Sequence, residues 1–449
     1  MAQQQPTVVV GGGISGLTLA LFLHRAEVPV TVLEAASTPG GNARTVERDG
    51  FLLETGPNSL LDRDGNVAAL ATSLGLQLRP AAASASRRSL VLGGRLRELP
   101  TAPAAMFTSD VLPWGAKLRL LLEPFSRRGP ADVDESLASF ARRHIGRTLT
   151  ATMVDALQTG IWAGDMERLS AASAFPRLVA LERGYRSLVL GAIRSRRGVG
   201  AGMGRAQLSS LDGGLGTLSK TLAAALGTRV RLNSPALALE RRGDGWSVVT
   251  PSGTVEAPRV VLALPPTEAA GLVRPFDTGL SEALTAIPTV PVAVVHLGYR
   301  PALEPEPVGF GFLVPPRERR DILGALYISS AFPFRAPGGG TLLTLLLGGA
   351  HRPELLARDD EGLVQTARAE LAALLGIERA PTLTHVIRWP RAIPQYNVGH
   401  AQRVASIFAQ ASRWPGLWLG GNAYRGAGVA DCVRAAGELG RQMLAGEAR

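Results

Sequence analysis

A single cysteine, Cys432, stands in 449 residues, so neither an intramolecular disulfide framework nor a cysteine-rich metal site can form. That usage fits a reducing compartment. Lysine is almost as scarce: Lys117 and Lys220 are the only two among 48 basic residues. No apolar run reaches the roughly 18 residues that a membrane-spanning helix needs, and residues 341–350, among the longest, are broken by threonine and glycine. The N-terminus has no basic stretch, and its first apolar run, Thr7–Val10, leads straight into glycines. No cleaved signal peptide is therefore expected. The histidines show no metal-ligand spacing, so no metal is expected, and no recognition motif points to nucleic acid.

What is present is a chain able to bury a large core. Hydrophobic residues make up 46%, mean hydropathy is +0.13 and there are 52 glycines. The length implies about two or three domains. The net charge is +11, and residues 85–205 hold 19 Lys/Arg against 10 Asp/Glu, a net of +9. That excess reads either as a solvated face or as a surface for anionic lipid or an anionic substrate. Within it, residues 106–128 (MFTSDVLPWGAKLRLLLEPFSRR) combine Phe107, Trp114 and leucines with basic residues, the character of either an interfacial helix or one packed on its own domain.

The β-branched run Thr7–Val10, the glycines of GGGISG at 11–16, an apolar helical stretch at 17–26 and a second run Val30–Leu33 form a strand–turn–helix–strand unit. Gly11, Gly13 and Gly16 give G-x-G-x-x-G. Such a turn keeps side chains away, so that a pyrophosphate can rest on backbone N–H groups at the helix N-terminus. Glu34, at the end of the next strand, suits a ribose hydroxyl and argues against a 2′-phosphate. A second glycine pair follows in PGGNART at 39–45, with ETGPNS at 54–59 and GGNAYRGAGV at 420–429. Together these segments predict FAD.

The strings GGGISGL, GPNS, DGGL, GFGFLVP, IPQYNVGH and AYRGAGVADC run in this order from Val8 to Cys432. They resemble the protoporphyrinogen oxidase family, within the flavin-containing amine oxidases. GFGFLVP at 309–315 and IPQYNVGH at 393–400 carry the specificity. The resemblance implies an α/β fold with a Rossmann-like FAD-binding domain in three pieces, residues 1–84, 206–276 and 386–449. An antiparallel-sheet substrate domain at 277–385 and a helical, membrane-associated domain of substrate access at 85–205 would be inserted between them.

It also implies positions. FAD would be held noncovalently by Gly11, Gly12, Gly13, Ile14, Ser15, Gly16, Glu34, Ala35, Gly41, Asn42, Arg44, Gly56, Pro57, Asn58, Ser59, Val230, Trp389, Ala427, Gly428 and Val429. Arg88 would pair with a substrate propionate, with Arg87 as its rival. Phe310, Leu313 and Leu346 would sandwich the macrocycle. Phe310 and Leu313 can both reach one ligand only if the chain bends at Gly311. The backbone of Gly160 would face the reacting ring, and Asn58 would lie beside the flavin where some relatives carry arginine. The implied substrates are protoporphyrinogen IX and O2. A cytoplasmic location, peripheral contact with an anionic membrane, ferrochelatase as a partner and a homodimer are further expectations.

Three other readings stand beside this one. Coproporphyrinogen III oxidation to coproporphyrin III is the same chemistry on a four-carboxylate substrate. Amine oxidases commonly use a lysine near the flavin, and Lys117 and Lys220 fall in the wrong segments. A Rab-escort-like binding protein would not need intact pyrophosphate and ribose motifs.

Overall fold

A computed structural model describes residues 5–100, 111–127, 129, 133–198 and 207–446. Five parallel strands, in the order Val230–Arg231, Val30–Leu33, Thr7–Val10, Arg259–Leu262 and Leu417–Leu419, form the first sheet. Both faces are covered, which is why these strands are continuous apolar runs rather than alternating ones. Val9, Val32 and Val261 pack against the helices Ile14–Arg25, Gly216–Leu226 and Val429–Ala445. Val8, Val10, Val260 and Leu262 face the other way, onto Trp246, Leu272, Leu280 and Ile407. The strand Gly245–Thr250 lies in a separate three-stranded meander with Ala238–Arg242 and Gly253–Ala257.

The second large sheet has seven strands: Leu383–Pro394, Thr289–Tyr299, Thr341–Gly348, Gly324–Tyr327, Gly311–Leu313, Arg88–Leu92 and Arg95–Glu98, in that order. One face packs on the helix Asp360–Leu375 through Val295, Leu297, Leu345, Leu363 and Leu371. Two expectations are corrected here. The sheet is not wholly antiparallel, because Gly311–Leu313 pairs parallel with Arg88–Leu92. The boundaries expected at 85 and 385 also fail to separate structural units. Residues 88–98 are strands of this sheet rather than part of a helical insertion, and residue 385 lies inside a strand that runs to Pro394. The hairpin of these two strands is local, but its place in this sheet rests on the long-range pairing of Arg88–Leu92 with Gly311–Leu313.

The helices Trp114–Leu121, Leu137–Leu149, Asp155–Trp162, Pro176–Tyr185 and Leu188–Gly198 form the remaining layer. Glu123 moors the first of them to the last. It is fully buried and accepts from His144 Nδ1 at 2.8 Å, from the Ser187 hydroxyl, and from the N–H groups of Leu188 and Val189 at 2.8 and 3.1 Å. Although burial works against the charge, these donors hold its carboxyl down at about 2. The expected interfacial segment is described only in part: residues 106–110 and 128 lie outside the described residues.

Candidate active site

The three glycines of the first turn are required for different reasons. Gly11 has φ +110°, and a Cβ on it would lie 2.4 Å from the carbonyl oxygen of Ala263. On Gly16 a Cβ would lie 2.0 Å from the carbonyl oxygen of Gly11, so helix and strand could not close. Gly13 meets nothing within 4 Å. The protein itself would tolerate a side chain there; only a ligand resting on the helix N-terminus would not. That open cradle fits a pyrophosphate.

Around it the predicted cofactor residues converge. Glu34 accepts from the N–H of Gly12 at 2.6 Å and that of Ala36 at 2.8 Å, and Ala35 lies between. The loop at 40–41 closes on the first turn, with Gly40 N–H donating to the Gly12 carbonyl at 2.8 Å and Gly41 packed beside Gly13. Ile14 and Ser15 open the helix. Val230 pairs with Val32 on the sheet's edge strand, two residues from Glu34.

Arg44 lies 5.8 Å from the ring centre of Trp389, and its buried Nε has no partner. Trp389 in turn donates to the Thr55 carbonyl at 2.6 Å, while the Thr55 hydroxyl donates to the Asn42 carbonyl at 2.8 Å. This clamps the start of the Gly56–Ser59 loop. Asn58 is 9% exposed; its Nδ2 donates to the Gly56 carbonyl at 3.2 Å and its Oδ1 has no partner. Two orphaned polar atoms, one donor and one acceptor, fit a polar cofactor between these loops.

Residues 427–429 lead into the Val429–Ala445 helix, and Asp431 accepts from Gly428 N–H at 3.3 Å. Tyr396, which the sequence did not single out, fixes this loop. Its hydroxyl donates to the Asn422 carbonyl at 2.6 Å and accepts from Gly426 N–H at 2.8 Å. Burial pushes its hydroxyl up, so it stays a donor. Cys432 is buried nearby with its thiol raised to about 11, which makes it a packed residue rather than a reactive one.

The other face of the seven-stranded sheet turns toward the helical layer, where Leu90 and Leu313 pack with Leu112, Leu149 and Ala156. Cross-strand partners share a face, so Leu346, Gly324, Leu313, Leu90 and Arg97 form one row. Leu346 is the one residue of Thr341–Gly348 that is not fully buried, and Leu313 is likewise half-buried beside buried Phe312. Gly324 leaves a dip between the two leucines, which stand about 10 Å apart across two strand spacings. Gly311 has φ +135°, and Phe310 packs with Ala85, Phe332 and Phe334, apart from the cluster that holds Leu313. Arg88 shares the face of Leu90 and stands 5.4 Å from the ring of Phe310.

Arg88 has no acidic partner among the described residues, whereas Arg87 is held by Glu98 at 2.9 Å. The pairing leaves Arg88 as the arginine available to a ligand. Arg97, at the end of the same row, was missed in the sequence because its position depends on strand register.

Opposite the row, the Asp155–Trp162 helix presents Gly160, whose absent Cβ would lie 2.7 Å from Leu313 Cδ2. Leu157 and Ile161, on the same helix face, are 47% and 50% exposed. The inner end, at Leu346, is lined by apolar Ala163, Val292 and Leu323. The result is an apolar seam, closed where Gly160 meets Leu313, with arginine at one end.

A family model described as flavin containing amine oxidoreductase matches residues 14–442. The protoporphyrinogen oxidase of Bos taurus is 36% identical over 98% of this chain and 97% of its own. The coproporphyrinogen III oxidase of Bacillus subtilis is 29% identical over 95% of each. A crystal structure of a protein from Exiguobacterium sp. 255-15 superposes with a TM-score of 0.87 at 28% identity over the full length of both chains. A putrescine oxidase structure, at 18% identity and a TM-score of 0.73 over 99% of both chains, shares the fold.

Proposed function

The chain belongs to the flavin-containing amine oxidoreductase family, and from that premise we propose that it oxidises protoporphyrinogen IX to protoporphyrin IX. One protoporphyrinogen and three O2 would give one protoporphyrin and three H2O2. FAD, when bound, supplies the acceptor for hydride from the substrate carbon. Gly11–Gly16, Glu34, Arg44 and residues 427–429 are the groups that would hold it. Helix N-termini at both glycine loops favour negative charge on it.

The observation that carries the substrate assignment is the row of half-buried Leu313 and Leu346, with buried Gly324 between them, facing Gly160 and with Arg88 at one end. A flat, apolar tetrapyrrole would open this seam into a slot by turning the Leu313 side chain away from Gly160, and its propionates would meet Arg88 and its neighbour Arg97. The chain's work is then positioning and exclusion of water. Coproporphyrinogen III, the second reading, carries two further carboxylates. They would fall at the Leu346 end, among Ala163, Val292 and Leu323, where burying an unpaired carboxylate is costly.

Arg88→Ala is expected to raise KM for protoporphyrinogen on the order of tenfold and to change kcat much less. Propionate pairing acts equally in ground and transition states. Steady-state kinetics with porphyrin fluorescence as readout checks this; an unchanged KM would move the role away from Arg88.

The same reading extends to a membrane surface. Trp114, Leu118, Leu121, Leu122 and Phe125 are 79%, 58%, 58%, 47% and 84% exposed. A helix ordinarily turns such a stripe inward; here it points outward, with Lys117 Nζ 4.6 Å from the Trp114 ring centre. No helix among the described residues is long and apolar enough to cross a membrane. Binding to anionic vesicles that weakens with salt is expected, since surface charges are screened beyond ~8 Å at physiological ionic strength. Co-sedimentation with neutral and anionic liposomes across a salt series measures it. Equal binding to both at every salt concentration would leave only apolar insertion, and no binding to either would end the membrane reading.

A further inference from the structure

Behind the Gly56–Ser59 loop lies a charged pair with no part in the function proposed above. Arg335 is 0% exposed and Glu54 is 1% exposed, and they meet at 2.8 Å. Arg335 also donates to the main-chain carbonyl of Asn58 at 2.7 Å and to the Ser210 hydroxyl. Glu54 accepts from Leu215 N–H at 2.7 Å and from the Thr45 hydroxyl at 2.8 Å. Its own carbonyl lies 3.0 Å from His296 Nε2. Burial pushes His296 down to about 3, so the ring is neutral; with Nε2 as donor, Nδ1 accepts from the Thr344 hydroxyl at 2.8 Å. The network thus joins the seven-stranded sheet to the loop that carries Asn58.

A buried ion pair is a poor source of stability, because desolvation of both charges offsets their attraction. Apolar side chains would fill the same volume beside Phe332 and Phe334, whose ring centres lie 4.7 and 6.0 Å from the guanidinium. What apolar groups could not do is hold one carbonyl in place with a rigid, forked donor. At the end of that chain of contacts stands the unpaired, buried Oδ1 of Asn58.

We infer that Arg335 is a positioning residue: braced by Glu54, it fixes the Asn58 main chain so that the side-chain Oδ1 accepts from an N–H of the bound ligand. This rests on the proposed reading of the slot. Both the flavin ring and the tetrapyrrole carry such N–H groups, and the test separates them.

The experiment is a double-mutant cycle on the flavin-loaded enzyme with Arg335→Lys and Asn58→Ala. It reads FAD dissociation, flavin absorption and the anaerobic rate of flavin bleaching by protoporphyrinogen. Lysine keeps the charge opposite Glu54 but loses the fork, so this variant should fold, whereas Arg335→Met would leave a buried carboxylate unpaired. Each single variant is expected to slow bleaching about a hundredfold, the scale of an ångström-level misplacement. The double variant should be no slower than Asn58→Ala alone.

An altered FAD dissociation constant and absorption would identify the flavin as donor; a change confined to bleaching and its substrate dependence would identify the tetrapyrrole. Additive losses, or a wild-type rate in Arg335→Lys, would overturn the inference. Should wild-type flavin fail to bleach with any porphyrinogen, the proposed function fails instead. The pair is then judged on FAD dissociation and absorption, where the same non-additivity is required.

Discussion

Gly13→Asp is expected to give a folded protein that carries no flavin. The position has φ −75° and ψ 177°, a conformation open to any residue, and it caps the Ile14–Arg25 helix without a side-chain hydrogen bond. Aspartate is a favoured N-cap, so the apo fold should keep or gain a few tenths of a kcal/mol, about the margin over glycine. Nothing in the protein lies within 4 Å of the new Cβ. What the carboxylate would meet is the pyrophosphate, with like charges in contact at a helix N-terminus. The contrast is Gly16→Ala, whose Cβ falls 2.0 Å from a backbone oxygen and whose overpacking should cost about 1–3 kcal/mol in any ligand state. The ratio of flavin to protein absorbance, read beside a thermal melt, checks both. A yellow Gly13→Asp protein with a full flavin complement would refute the cofactor site.

Gly160→Leu is expected to retain FAD, to melt no lower than wild type, and to lose kcat/KM by a hundredfold or more, about the penalty of misplacing a substrate by an ångström. Glycine inside a helix costs about 1 kcal/mol relative to alanine or leucine, and the three atoms nearest to the absent Cβ of this one all belong to the Leu313 side chain. A flexible leucine end can move aside, so the fold can absorb the new side chain; the slot cannot. Loss of function with gain of helix stability is the signature of a glycine kept for a ligand. Turnover near the wild-type rate would remove Gly160 from the site.

The reason some of this was legible in the sequence and some was not is one of distance along the chain. Gly11, Gly13, Gly16 and Glu34 lie in one local unit whose spacing already encodes a turn at a helix N-terminus. The continuous apolar runs of the parallel sheet were equally plain. The sheet that forms the slot was harder, because Arg88 reaches its place only by pairing with residues more than two hundred positions away. Leu346 looked like one more core residue until the register turned it toward Gly324 and Leu313.

The bend at Gly311 could be posed from strand periodicity, but only the structure gives its positive φ and packs Phe310 apart from the Leu313 cluster. Arg335 and Glu54 left faint marks, a lone charge in the aromatic string AFPFR and one ending the apolar strand FLLE. Neither mark says that the two charges meet. The outward stripe from Trp114 to Phe125 has the composition of a core helix, and only burial reveals which way it faces.

Anaerobic mixing of the flavin-loaded enzyme with protoporphyrinogen IX or coproporphyrinogen III, followed by bleaching of the flavin absorption, tests the central claim most directly. The account predicts rapid bleaching by protoporphyrinogen and a specificity at least about tenfold lower for coproporphyrinogen, the order expected when extra carboxylates meet an apolar wall. Equal or faster bleaching by coproporphyrinogen, or bleaching by neither, would contradict it.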